Sequence, residues 1–235
     1  MQLKKYLFFI TVFLLMILMS AFAHYRSSMR LVEKIIVNFE FQGARFLNDS
    51  IVNKLLILNN GELPWKVKDS LVLTMLETLL EKNPYVDNAE VFHFRQGILG
   101  VKIQEKIAVV RINGSNQYYL DMLGDQFPIS INHTPKVPLF NGTIKEEEKE
   151  DLLSLIEQIV KDPFLRNELA SIHYRSNSYF IGLRSYGFEV EIGQVKHLSE
   201  KLSKLKAFCA YHDNYKLERD YTLINLKFKN QVVGS

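Results

Sequence analysis

Residues 89–104, AEVFHFRQGILGVKIQ, hold two apolar-rich stretches around a tight turn. Ala89–Phe94 and Leu99–Gln104 have the composition of strands, and Arg95-Gln-Gly-Ile98 between them is of hairpin length. What precedes this hairpin decides the fold class. Lys34-Ile-Ile-Val-Asn-Phe-Glu-Phe41 alternates, with Ile35, Val37, Phe39 and Phe41 on one face, so it reads as a strand ended by Gly43. Asn48 has the character of an N-cap, with Asp49 in the first turn, for a short helix through Leu58 that Asn59-Asn-Gly61 breaks. A second helix runs from Val67 to Lys82, with Leu71, Met75, Leu76 and Leu79 as its buried stripe and Asn83-Pro84 as its stop. Residues 34–106 therefore read strand, helix, helix, strand, strand. That is an α+β unit of a size able to hold its own core.

Downstream the pattern turns to strands. Ile107–Ile112 and Gln117–Leu120 are two, and Gly124-Asp-Gln-Phe-Pro128 is turn chemistry. Thr143-Ile-Lys-Glu146 has the form of a capping box, followed by a helix to Val160 with Leu152, Leu155, Ile156 and Ile159 as its stripe. The acidic run Glu146–Glu148 sits where the helix dipole favours it and reads as a helix start, not a metal site. Strands follow around Ile172–Tyr174, Tyr179–Arg184 and Phe188–Ile192, the last two flanking a Ser185-Tyr-Gly187 turn. A helix from Lys196 to His212 carries Leu198, Leu202, Leu205 and Cys209 on one face. The closing stretch Tyr221–Val233, YTLINLKFKNQVV, alternates from Ile224: Ile224, Leu226 and Phe228 on one side, Asn225, Lys227 and Lys229 on the other. It reads as a half-buried strand, placed either inside a sheet or as an edge open to another chain.

Upstream, Tyr6–Ala23 is a stretch of 18 residues without a charge, preceded by Lys4 and Lys5. As a helix it spans roughly 27 Å, enough for a bilayer core. Two readings stand. One is a transmembrane anchor with a short cytoplasmic tail. The other is a cleaved signal peptide, because Ala21-Phe22-Ala23 has the A-x-A form. The unbroken bulky run Val12–Met19 favours the anchor, and both readings place residues 24–235 outside the cytoplasm.

The chain has 235 residues, 47% of them hydrophobic and 12% aromatic, which suits a packed protein and not a disordered one. A net charge of +3 argues against a nucleic-acid binder held by neutralised phosphates. Cys209 is the sole cysteine, flanked by apolar residues, and reads as a buried structural thiol. There is no H-E-x-x-H, C-x-x-C, G-x-S-x-G, Walker A loop or G-x-G-x-x-G. The six histidines are scattered, and Asp121 and Asp125 flank Gly124 as turn formers. Asn-x-Ser/Thr triplets at Asn48, Asn113, Asn132 and Asn141 matter only in a glycosylating pathway. No catalytic, cofactor or metal site is expected, and no small-molecule substrate.

Several motifs carry a family likeness. Tyr118-Tyr-Leu-Asp-Met-Leu-Gly-Asp-Gln-Phe-Pro128, Val137-Pro-Leu-Phe-Asn-Gly142, Glu191-Ile-Gly193 before a basic helix, and the closing Ile224–Val232 stretch resemble the FtsQ/DivIB cell-division proteins. The likeness covers almost the whole chain, and its specific part is Tyr118–Pro128. It implies an α+β protein: residues 1–5 as a cytoplasmic tail, 6–23 as a transmembrane helix in membrane lipid, and 24–33 as a linker. Residues 34–106 would then form a POTRA-like domain, and 107–235 a mixed β-sheet domain with helices on one side. It also implies a non-enzymatic scaffold of the bacterial inner membrane, gathered at the division septum. Such a scaffold binds FtsB/FtsL-like partners by strand addition and so helps control the septal peptidoglycan synthase. The binding residues implied are Tyr221, Ile224, Asn225, Leu226, Lys227, Phe228, Lys229, Asn230, Gln231 and Val232. The alternatives are another POTRA-bearing envelope protein, in secretion or assembly, and a secreted periplasmic protein. Two departures from the family pattern stand out. Ala108 replaces a usual proline, which makes the junction less rigid. Asn225 and Lys227 replace a usual Asp and Arg, which removes an expected ion pair and leaves that face more basic.

Overall fold

The computed structural model describes residues 2–28, 31–41, 45–60, 65–66, 70–94, 97–215, 221–229 and 231–235. The chain divides into two compact units, Met1–Glu105 and Lys106–Ser235.

In the first unit, helix α1 (Gln2–Ser28) covers the uncharged stretch and continues past Ala23. Among the described residues, no helix is long and apolar enough to cross a membrane. The side chains of α1 described without a break run from Phe8 to Ala23. Strand β1 (Leu31–Val32) lies within the expected linker and pairs antiparallel with β3 (Trp65–Lys66). The main sheet is β2 (Lys34–Phe39), β5 (Ile98–Glu105) and β4 (Val86–Phe94), with β5 in the centre. The hairpin strands β4 and β5 run antiparallel, while β2 lies parallel to β5 from Lys34↔Ile98 to Phe39↔Ile103. A central strand is covered on both edges, and Leu99, Val101 and Ile103 of β5 are fully buried.

Helices α2 (Asp49–Asn60) and α3 (Ser70–Glu81) pack Val52, Leu56, Leu76 and Leu80 against those strands. Asn48 caps α2 as expected: its Oδ1 accepts the Ile51 N–H at 2.9 Å. Asn59 and Asn60 do not break α2 but complete it. On α3 the inward row is Leu73, Leu76 and Leu80, spaced three and four apart, and Met75 lies off that face, exposed. The expected helix start at Val67, the turn at Arg95 and Gln96, the stops at Gly43 and Gly61, and the Leu71 side chain lie outside the described residues.

The second unit is built on β6 (Val110–Asn113), β7 (Gln117–Leu120), β8 (Gln126–Pro128), β9 (Leu139–Asn141), β10 (Leu169–Arg175), β11 (Ser178–Leu183), β12 (Glu189–Gly193), β13 (Leu223–Asn225) and β14 (Val233–Gly234). They form one mixed sheet in the order β14-β13-β12-β11-β10-β9-β6-β7-β8. Helices α4 (Glu146–Val160), α5 (Pro163–Glu168) and α6 (Leu198–Tyr215) share a core with its inner face. That core holds Leu152, Ile156 and Ile159 from α4, Leu202, Leu205 and Cys209 from α6, and Ile172, Ile181, Val190 and Ile224 from the strands.

Several local readings are corrected here. Gln126–Pro128, assigned to a turn, is a strand, and β9 was unforeseen; both are three residues long and too short to show alternation. Helix α4 starts at Glu146 after Lys145, not at Thr143. The reason is Glu148, whose Oε2 accepts the Lys145 N–H at 3.1 Å. Asp162 caps the unexpected α5 by accepting from the Phe164 and Leu165 N–H groups. The β10–β11 hairpin turns at Ser176 (φ 49°) and Asn177 (φ 60°), the left-handed pair that matches strand twist.

Candidate functional site

Residues 221–235 lie at one end of the nine-stranded sheet. They form a strand, a turn and a return, not the single strand expected. The outgoing strand is Leu223–Asn225, parallel to β12 with Val190↔Ile224 and Glu191↔Asn225 in register, and the return is β14. The Leu226 N–H still donates to the Glu191 carbonyl at 2.9 Å, and Ile224 and Leu226 are fully buried. Burying each contributes about 1.5–3 kcal/mol, so this inner pair anchors the segment. The alternation stops at Phe228, which is 46% exposed.

Two devices bend the chain. The Asn225 Oδ1 accepts the Lys227 N–H at 2.9 Å, an Asx-type turn that competes with the ladder. Lys204 of α6 then donates from Nζ to the carbonyls of Phe228 (2.6 Å) and Lys229 (3.2 Å). The returning chain covers the outer edge of β13. Ile224 faces Gly234 and Asn225 faces Val233, antiparallel. Thr222 and Leu223 N–H groups donate to the Ser235 carbonyl at 2.8 and 3.2 Å, and Ser235 N–H donates back to Leu223 at 3.0 Å. The expected open edge is therefore corrected: β13 is paired on both sides, and β14 is the outermost strand. Each hydrogen bond nets about 0.5–1.5 kcal/mol against about 1–2 kcal/mol of backbone ordering per residue. A two-residue strand with exposed side chains sits near balance.

The outward face of β12 and β13 holds the charges. Glu191 is only 7% exposed. Its Oε1 lies 2.6 Å from Lys227 Nζ, and its Oε2 accepts from Asn225 Nδ2 at 2.6 Å. The two family departures thus share one carboxylate, and Lys227 has an ion pair after all. The Lys227 stem crosses Gly193 (φ +76°), where an added Cβ would stand 2.7 Å from Lys227 Cγ. Glycine is required there twice, by backbone and by contact. Tyr221 packs edge-on against Phe208 of α6, with ring centroids 5.5 Å apart.

The structure thus brings together Tyr221, Ile224, Asn225, Leu226 and Lys227 beside β12. Phe228 and Lys229 are exposed in the turn, Gln231 is exposed, and Val232 rests partly buried on the core. Asn230 lies outside the described residues. Sequence reading placed Glu191 and Gly193 only in a family motif and Val233 only at the end of the closing strand, and gave Lys204 and Gly234 no part in the site. Alternation along β12 could have flagged Glu191 as outward-facing; nothing local marked Lys204.

Elsewhere, Asp121 Oδ1 accepts from Leu123 and Asp125 N–H groups, each at 2.9 Å, the geometry of a turn former. Lys106 Nζ lies 2.9 Å from Asp125 and 3.6 Å from Asp121. Burial pushes the Cys209 thiol up to about 11, so it stays protonated and inert. His173 Nε2 lies 2.8 Å from Glu189 Oε1, and its ring stacks on Phe180. Burial, helped by the Arg175 charge and opposed by Glu189, holds that imidazole below its usual range. Among the described residues, no group of three His, Cys, Asp or Glu stands close enough to hold a metal ion.

The family model described as FtsQ/DivIB, C-terminal related, matches residues 108–235. The chain is 30% identical over 138 residues to the cell division protein FtsQ of Geotalea daltonii, covering 53% of this chain and 50% of that protein. It therefore spans about half the length of the curated relative it matches. A solved structure it resembles is the major extracytoplasmic domain of the trans isomer of the cell division protein DivIB from Geobacillus stearothermophilus. Identity is 17% and the TM-score 0.33, over 47% of this chain and 97% of that one.

Proposed function

The chain belongs to the FtsQ/DivIB family, and from that premise we propose that it is a non-enzymatic cell-division scaffold that docks a partner strand at the β13 end of its large sheet. The observation that carries this reading is the position of residues 221–235, at one end of a sheet whose family match runs to residue 235. A sheet end offers backbone N–H and C=O groups in strand spacing, the chemistry of β-augmentation. The partners are FtsB/FtsL-like division proteins, and through them the scaffold helps control septal peptidoglycan synthesis. Phe228 and Lys229, exposed beside that end, give the partner an apolar and a cationic contact.

Tyr6–Ala23 serves as a single-pass anchor in the inner membrane. Its support is the uncharged run lying wholly inside α1. Residues 1–5 form the cytoplasmic tail and the rest of the chain stands on the periplasmic side at the septum. Residues 34–106, ordered β2-α2-β3-α3-β4-β5 with the two-residue β3 paired to β1 outside the main sheet, are the POTRA-like domain, and residues 107–235 are the binding domain.

Two measurements test the reading. Depletion of the protein should give filamentous cells with unfinished septa; normal division on depletion overturns the proposal. Phe228→Ala with Lys229→Glu should lower capture of the FtsB-type partner about tenfold or more, with Tm and membrane fraction unchanged. Equal capture counts against docking at this end of the sheet.

A further inference from the structure

We infer that Val233–Ser235 is an intramolecular stand-in for the partner: it fills the antiparallel slot on β13, and a partner strand enters only by displacing it. This rests on the reading of β13 as the docking edge. The tail makes the contacts an added strand would make. Leu223 and Ser235 exchange both backbone hydrogen bonds, and Thr222 adds a third to the same carbonyl. In an antiparallel ladder Asn225 and Val233 are the next bonded pair, with Ile224 and Gly234 the close, unbonded pair between them. The hold is light. Val233 is 40% exposed, and the return is only two strand residues long.

The slot also has a sequence rule. A Cβ placed on Gly234 would stand 2.5 Å from Cδ1 and Cε1 of the Tyr221 ring and 3.3 Å from Ile224 Cδ1. Tyr221 is itself braced against Phe208. The strand that takes this place therefore carries glycine opposite Ile224. Opposite Asn225 it carries a β-branched residue, as the tail does with Val233. The partner chemistry is an extended segment running antiparallel to β13 with a β-branched residue followed by glycine.

The test uses the full chain in detergent and a fluorescent synthetic peptide, KNQVVGS, with the sequence of residues 229–235. Val233→Pro removes a ladder N–H from the tail without touching β13, and Gly234→Val pushes the tail off Tyr221 by a different contact. Both variants should bind the peptide about tenfold more tightly than the unaltered chain, whose slot is filled. The same peptide carrying G234V should bind about tenfold less tightly to either variant. Equal binding to altered and unaltered chains, equal binding of the two peptides, or no binding at all overturns the inference. Peptide binding as expected, with no capture of an FtsB-type partner by any form, retires the functional reading and upholds the slot.

Discussion

Glu191 supplies the ion pair that the sequence expected to be lost at Asn225 and Lys227. It is a nearly buried carboxylate holding an amide and an ammonium group that arrive from the next strand. Lys227 remains 46% exposed at its side chain, so its charge is partly screened and the hydrogen bonds carry most of the value. Glu191→Gln keeps an acceptor for Asn225 and should cost little. Glu191→Ala leaves the Asn225 amide without its partner and should destabilise the second unit by about 1–3 kcal/mol. Chemical denaturation checks this, and equal costs for the two variants would show that charge, not hydrogen bonding, holds the end of the sheet. The same geometry revises what Asn225 and Lys227 offer a partner. Both are turned onto β12, which leaves Phe228 and Lys229 as the exposed side chains of the turn among the described residues.

Single elements end where side chains outcompete the backbone ladder. β13 stops at Asn225 because that side chain takes the Lys227 N–H, and α4 starts at Glu146 because Glu148 reaches back to Lys145. Helix α5 exists because Asp162 accepts two N–H groups at its start while Lys206 of α6 holds the other oxygen. The Lys206 hydrogen bond, then the Leu165 N–H, lower the Asp162 pKa, with the Lys206 charge and the Phe164 N–H adding to them, against the opposing effect of desolvation. A carboxylate whose pKa falls on folding binds protons more readily in the unfolded chain. Its contribution to stability is therefore present above the ordinary carboxylate range and is lost as pH falls through the lowered value. The Tm difference between the native chain and Asp162→Asn should be largest near neutral pH and close as acid titrates the site. A difference that stays constant down to the lowest measurable pH would remove Asp162 ionisation from the account.

At the scale of the molecule, two compact units each hold their own apolar cluster. In the first, the Gly100 position of the central strand lies under the Phe92 ring, where an added Cβ would come within 2.2 Å of Cε2. Gly100→Ala should cost that unit about 1–3 kcal/mol by displacing the ring. Calorimetry of the full chain should show one transition moved and the other unchanged; a joint shift would show a single cooperative unit instead. The β2, α2, α3, β4 and β5 elements were legible in the sequence because period-2 and period-3.6 patterns and the Asn48 cap are local signals, whereas the two-residue strands β1 and β3 were too short to show one. The inward stripes of α4 and α6 were legible for the same reason. The resemblance in Tyr118–Pro128 was legible because it is a contiguous motif. What the sequence could not carry were pairings between distant residues: the three-residue strands β8 and β9, Lys204 holding the turn of residues 228–229, and Glu191 gathering Asn225 and Lys227. The closing stretch shows the division most clearly. Alternation in Ile224–Leu226 determined by itself that those two side chains face the core, since a side chain's face depends only on its place in the strand, whereas Phe228, expected on the same face, is turned out by the bend after Asn225. Whether that strand's outer edge stood open was decided by tertiary structure alone, because edge pairing depends on which backbone returns to meet it, and here residues 233–235 do.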